Sequence, residues 1–91
     1  MYNKYTMEHK YNPVEDLLDL KHSWEELKFD VFNSDTMEEV EGLLVGTPLY
    51  SVWSILIRRS PLLQFDSMWN IAMRFKNEVF QAIEELEEIC Y

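Results

Sequence analysis

Three side chains in the first third of the chain have a spacing that could serve a metal site. Asp19, His22 and Glu26 stand at positions i, i+3 and i+7, so a helix would carry them on one face. Zinc accepts carboxylate and imidazole ligands, but three ligands from one helix rarely converge without a fourth from elsewhere. Lys21 and Lys28 lie near them in sequence and favour a solvated face with local ion pairs. We therefore predict no metal site here.

The remaining candidates for catalysis are also few. Glu84 and Glu88 are a carboxylate pair of the kind used in acid–base chemistry, but they lie on a polar helix face. The chain has no His-Glu-x-x-His helix, no Gly-x-Ser-x-Gly turn and no glycine-rich phosphate loop. Its single cysteine, Cys90, excludes an internal disulfide and is typical of a reducing compartment. The sequence predicts a protein that is not an enzyme and uses no cofactor.

The chain is strongly acidic, with 17 Asp and Glu residues, 8 Lys and Arg residues and a formal net charge of −9. This charge would repel DNA, RNA and anionic lipid, and the absence of a basic helix face disfavours a helix-turn-helix DNA-binding protein. No segment reaches the roughly 18 apolar residues of a membrane span, and residues 1–13 lack the apolar run of a signal peptide. We expect a cytoplasmic protein that binds neither nucleic acid nor membrane directly.

The carboxylates are concentrated in two stretches. No Lys or Arg follows Lys76, and none lies between Thr36 and Ile57. Glutamates at the C-terminal end of a helix oppose its dipole at about 0.3–1 kcal/mol each, so helix stability does not explain them. Binding of a basic partner is one explanation, and solubility is the other. The predicted partner-binding residues are Glu84, Glu85, Glu87 and Glu88, followed by Glu38, Glu39 and Glu41.

Two functional hypotheses follow from these features. Carboxylates at i and i+4 of a helix stand about 5–6 Å apart and can approximate a row of DNA phosphates. In size and charge the chain is similar to DNA-mimic inhibitors carried by phages and mobile elements, such as anti-restriction and anti-CRISPR proteins. The first hypothesis is an inhibitor that binds a basic nucleic-acid-binding protein through an acidic helical face. The second is a helical adaptor or interaction module, homodimeric or binding another protein, with apolar contacts through Met68, Trp69, Met73 and Phe80.

The sequence pattern that must position these residues is helical. Two glycines and three prolines are too few for a fold of many short strands and turns, which favours an all-α fold. We expect a compact bundle of four to five helices with a buried central helix and a long C-terminal helix. Residues 1–11 show no clear period and are expected to form an N-terminal arm, and residues 12–91 a single helical domain.

The first two helices have clear start signals. Asn12 as N-cap and Pro13 at the first position begin a helix, and apolar residues spaced by three and four extend it over 13–32. Ser23 with Glu26 is an alternative capping box that would divide this helix. A short second helix begins at a capping box, formed either by Asp35 with Glu38 or by Thr36 with Glu39, and ends near Gly46.

The second half of the domain contains the most apolar stretch and the strongest periodicity. Residues 49–59, "LYSVWSILIRR", are apolar in almost every helical direction, which predicts a central helix that Pro61 ends. A buried strand is the alternative for this stretch. The final helix is predicted from about Ser67 to Ile89, and its broad apolar stripe exceeds what one neighbouring helix would cover.

Overall fold

The computed structural model describes residues 13–90, and this part of the chain is all-α, as predicted. The prediction of an arm at residues 1–11 and the Asn12 cap lie outside the described residues. No strand occurs between residues 13 and 90, so the alternative of a strand at 49–59 is wrong. Three connections, at 33–36, 45–48 and 60–67, join four α-helices, and the last connection contains a short 3₁₀ helix. The elements are α1 (Pro13–Phe32), α2 (Met37–Leu44), α3 (Leu49–Arg59), the 3₁₀ helix (Pro61–Phe65) and α4 (Met68–Cys90).

Helix α1 runs without a break and ends where the sequence predicts. Ser23 lies inside the helix, so the alternative capping box with Glu26 does not form. The reason is the continuous apolar stripe, which packs on the rest of the bundle over its whole length. The buried members of the stripe are Leu17, Leu20, Trp24 and Val31, and Leu27 packs against them.

Thr36 is the N-cap of α2. Of the two capping boxes that the sequence allows, the structure therefore forms the one made by Thr36 and Glu39. The Thr36 Oγ1 accepts a hydrogen bond from the Glu39 backbone N–H at 3.2 Å. The Glu39 Oε1 accepts from the backbone N–H of Asp35 at 2.7 Å, one residue before the cap. Two residues after the end of α2, Gly46 has φ of +85°, a left-handed conformation that glycine adopts without steric strain.

Helix α3 contacts each of the other described elements, yet solvent reaches one side of it. Leu49, Trp53 and Leu56 are buried, whereas Tyr50 and Ile55 are exposed. The apolar composition of this stretch predicts burial all round, and the structure differs because no element between residues 13 and 90 covers the side that carries Tyr50 and Ile55. Its helical state and its end before Ser60 agree with the sequence pattern.

Helices α1 and α4 pack antiparallel, and the core is centred where α3 meets them. Phe32, at the end of α1, lies near Trp69 at the start of α4, with ring centroids 5.1 Å apart. Phe75 of α4 is fully buried and makes edge-on ring contacts with Trp24 at 5.9 Å and with Trp53 at 5.4 Å. Such edge-to-face pairs favour one orientation of the rings, so Phe75 joins α1, α3 and α4 in a defined arrangement.

Candidate functional site: an aromatic groove between α1 and α4

The glutamates predicted to bind a basic partner lie in separate places on the fold. Glu38 and Glu41 line a hollow between α2 and the end of α3, next to Ile57. Glu85 lines a different hollow, between α3 and α4, beside Ile55. The two acidic stretches of the sequence therefore border different depressions of the surface.

Three of the seven predicted glutamates have partners within the molecule. Glu87 Oε2 lies 3.1 Å from the Nζ of Lys21, which links α4 to α1. Glu41 Oε2 accepts a hydrogen bond of 3.2 Å from the indole N–H of the buried Trp53. Glu39 accepts at the start of α2, as described above. Each of these carboxylates therefore has a contact within the fold that sequence reasoning did not assign to it.

The other four glutamates are exposed and have no ion pair or side-chain hydrogen bond with any residue between 13 and 90. They are Glu84, Glu85 and Glu88 on α4, and Glu38 on α2. The three on α4 occupy the last two turns of the helix, whose final turn contains no basic residue. Their charge is therefore open to solvent or to another molecule.

A groove of about 720 Å³ separates the exposed sides of α1 and α4. Trp24, Phe29 and Phe32 of α1 and Trp69, Met73 and Phe80 of α4 form its apolar lining. Three of the four residues predicted for apolar contact are in this set. The fourth, Met68, instead packs against the core.

Three rings of the groove are largely exposed, and two of them rest against other rings. Phe29 is 71% exposed, Trp69 62% and Phe80 48%. Phe80 rests edge-on against the buried Trp24 with ring centroids 6.1 Å apart, and Trp69 rests against Phe32. Exposed apolar patches rimmed by polar groups mark interaction sites more often than exposed single residues do.

Lysines form the polar rim of the groove. Lys28 Nζ is 2.8 Å from Glu25 Oε1 and 5.5 Å from the centre of the Phe29 ring. Lys76 Nζ lies 5.7 Å from the centre of the Phe80 ring and has no carboxylate partner between residues 13 and 90. Both ammonium groups therefore stand at ring faces, where cation–π attraction favours them.

A smaller hollow of about 340 Å³ continues the groove toward the C-terminal half of α4. It shares Trp24, Glu25 and Phe80 with the groove and adds Lys21 and Ile83. The combined surface therefore follows both helices for several turns.

Phe29 and Phe32 are the groove residues that sequence reasoning missed. They stand three apart on α1 and lie off the stripe that runs from Leu17 to Val31. Two aromatic residues at helical spacing outside the buried stripe were the available signal. The pairing of this second stripe with α4 depends on the tertiary arrangement.

The spacing of Asp19, His22 and Glu26 produces a local contact. His22 Nε2 is 3.3 Å from Glu26 Oε2, and both side chains are exposed. Among the described residues, no three His, Cys, Asp or Glu side chains are grouped as metal ligands would be.

None of the helices between residues 13 and 90 combines the length and the hydropathy needed to cross a bilayer.

Comparison of the chain with protein-family models, with curated proteins and with solved structures finds no match.

Proposed function

We propose that this protein is a helical interaction module that binds another protein through the groove between α1 and α4. The observation that carries the proposal is the exposure of Phe29, Trp69 and Phe80 in one groove whose lining also includes the buried Trp24. Aromatic side chains bury about 150–250 Å² each and dominate the energetics of interfaces. Phe80 and Trp69 already rest against Trp24 and Phe32, so binding would require little reordering of these two rings.

The chemistry of the groove supports binding rather than catalysis. None of its lining residues is a serine, cysteine or histidine, so it has no nucleophile–base pair of the usual kinds. Glu25, its carboxylate, is paired with Lys28. An apolar surface with a few charges at its edge is instead the composition of a protein-binding site.

Site-specific photo-cross-linking tests the proposal. A photoreactive phenylalanine analogue replaces Phe29 or Trp69 in the groove, or Leu62 in the 3₁₀ helix as a control. Leu62 is 74% exposed, so it matches the groove positions in accessibility but lies outside the groove. After irradiation in host lysate, we expect the same protein adduct from positions 29 and 69 and none from position 62. Absence of adducts at both groove positions, or equal adducts at all three, would contradict the proposal.

A second candidate function is inhibition of a basic nucleic-acid-binding protein by DNA mimicry, as in anti-restriction and anti-CRISPR proteins. The observation that favours it is the set of three exposed carboxylates, Glu84, Glu85 and Glu88, that lack a partner among the described residues. Glu84 and Glu88 are one helical turn apart, so their Cβ atoms are about 5–6 Å from each other. Cationic groups that bind DNA phosphates can contact two carboxylates at this spacing.

The test compares two variants with the same change in charge. Glu84, Glu85 and Glu88 become Gln in one variant, which leaves the Glu87–Lys21 ion pair intact. Asp19, Asp30 and Asp66, which are exposed elsewhere, become Asn in the other. We expect wild type and the Asp variant to capture a nuclease or similar protein at low salt, and the Glu variant to lose it. Equal loss in both variants would mean that only total charge matters and would exclude a defined acidic site.

A further inference from the structure

We infer that the partner segment bound in the groove is an amphipathic helix with acidic residues beside its apolar stripe. This inference rests on the proposed function above, because it names the class of partner for the same groove. Two properties of the groove support it, namely its shape and its charge.

The groove has the shape of a site for a third helix. It lies between two antiparallel helices, and its lining on α4 extends from Trp69 through Phe80 to Ile83 in the adjoining hollow. Fourteen residues of helix rise about 21 Å, which is the length of three to four turns of a bound helix. Grooves of this kind take apolar side chains at positions i, i+4 and i+7 of the ligand helix. A peptide strand would instead need an unpaired sheet edge, and residues 13–90 contain no strand.

Half of the cations of the described chain lie on this surface. Six Lys and Arg residues lie between residues 13 and 90, and three of them, Lys21, Lys28 and Lys76, line the groove or its extension. The lining of the groove and its extension contains these three lysines and one carboxylate, Glu25, so it is locally positive in a chain that carries −9 overall. Charge complementarity of this kind selects partners and sets their orientation.

Lys76 is the cation best placed to meet an acidic ligand. Lys21 is paired with Glu87, and Lys28 with Glu25. Lys76 contacts the Phe80 ring and has no carboxylate beside it in the described part of the chain. A glutamate that flanks the apolar stripe of a bound helix would form an ion pair with Lys76.

A second copy of the chain fits this surface less well. Two copies would bring net charges of −9 together and would set one lysine-lined groove against another. An acidic helix from a different protein meets the lysines with opposite charge.

The experiment uses the full chain and two synthetic helical peptides of about 14 residues. Both peptides carry the same leucine stripe, and the positions flanking it hold two glutamates in one peptide and two lysines in the other. Binding is followed by calorimetry and by tryptophan emission, since Trp69 is exposed in the groove whereas Trp53 is buried elsewhere. At an ionic strength of about 0.15 M, remote charges are largely screened, so contacts in the groove dominate.

We expect the glutamate peptide to bind about tenfold more tightly than the lysine peptide. Lys76→Glu should abolish or reverse this preference. Arg58→Glu, which changes the net charge equally but lies outside the groove, should preserve it. Equal or tighter binding of the lysine peptide, or equal effects of the two substitutions, would overturn the inference.

Two further results separate this inference from the proposed function. A dimer in sedimentation that Trp69→Ser dissociates would identify a second copy as the occupant and would overturn the inference. Failure of the cross-linkers at positions 29 and 69 to capture a protein would count against the proposed function itself. Protein adducts at those positions without a preference for the glutamate peptide would leave the function standing and remove only the acidic helix.

Discussion

At the scale of single residues, Phe75 and Phe65 are the same side chain in opposite surroundings. Phe75 is fully buried between Trp24 and Trp53, and Phe65 is 78% exposed in the 3₁₀ helix. Phe75→Ala should lower the free energy of unfolding by about 3–5 kcal/mol, since it removes a buried ring and leaves a cavity. Phe65→Ala should change it by less than about 0.5 kcal/mol.

Urea denaturation followed by circular dichroism measures both changes. The stability of a domain of this size is small, so the Phe75→Ala protein is expected to be partly unfolded before urea is added. Equal effects of the two substitutions would mean that the core is not organised around Phe75. Phe75→Leu, which keeps most of the volume, should lose clearly less stability than Phe75→Ala.

Sequence patterns could identify acidic residues but not their partners. Glu38 and Glu41 lie three apart in one short helix, yet Glu38 is exposed and Glu41 bonds the Trp53 indole. The Trp53 contact joins residues 12 positions apart on different helices, and no local pattern reports it. The same limit applies to the Glu87–Lys21 ion pair, which depends on how α1 and α4 pack.

At the scale of helices, the same substitution at opposite helix ends should have opposite effects. Glu38 lies in the first turn of α2, where a carboxylate complements the helix dipole, and Glu88 lies in the last turn of α4, where it opposes the dipole. We expect Glu38→Gln to lower the free energy of unfolding, and Glu88→Gln to raise it, by about 0.3–1 kcal/mol each at low salt.

Urea titrations of the two variants and the wild type test the signs directly. Both effects should shrink in about 1 M salt, because charges at the surface are then screened over a few ångströms. Changes of the same sign in both variants would show that net charge, rather than the helix ends, controls stability here.

Helix limits could be predicted well where the signals are local. The range 13–32 follows from Pro13 and an unbroken apolar stripe, and the α2 cap follows from Thr36 and Glu39. The solvent-facing side of α3 could not be predicted, because Tyr50 and Ile55 are as apolar in character as many buried residues. The groove also depends on how two helices meet, so Phe29 could be placed in it only from the tertiary structure.

At the scale of the whole molecule, charge repulsion should make the fold sensitive to salt. The described residues contain three Lys or Arg ion pairs and a His22–Glu26 contact, all at least partly exposed, and such pairs contribute about 0–1 kcal/mol each. The net charge of −9 opposes the compact state. We expect the unfolding temperature to rise between about 10 mM and about 300 mM NaCl, as the Debye length falls.

Scanning calorimetry at several NaCl concentrations measures this dependence. The same series in KCl separates screening, which depends on ionic strength alone, from effects specific to one ion. A fall in unfolding temperature with added salt would mean that the ion pairs outweigh the repulsion.

The positions of the Lys and Arg residues also determine where trypsin can cleave the molecule. All six Lys and Arg residues between 13 and 90 lie within helices, and the connections at 33–36, 45–48 and 60–67 contain none. Trypsin cleaves after these residues but requires an extended segment, so five of the six sites must wait for a helix to open, and the sixth, after Arg59, lies at the end of α3. When reclosing is faster than cutting, the digestion rate follows the population of open molecules. The rate of trypsin digestion therefore measures conformational opening of residues 13–90. An Asp-directed protease could instead cut at Asp35 and Asp66, which lie in the connections between helices.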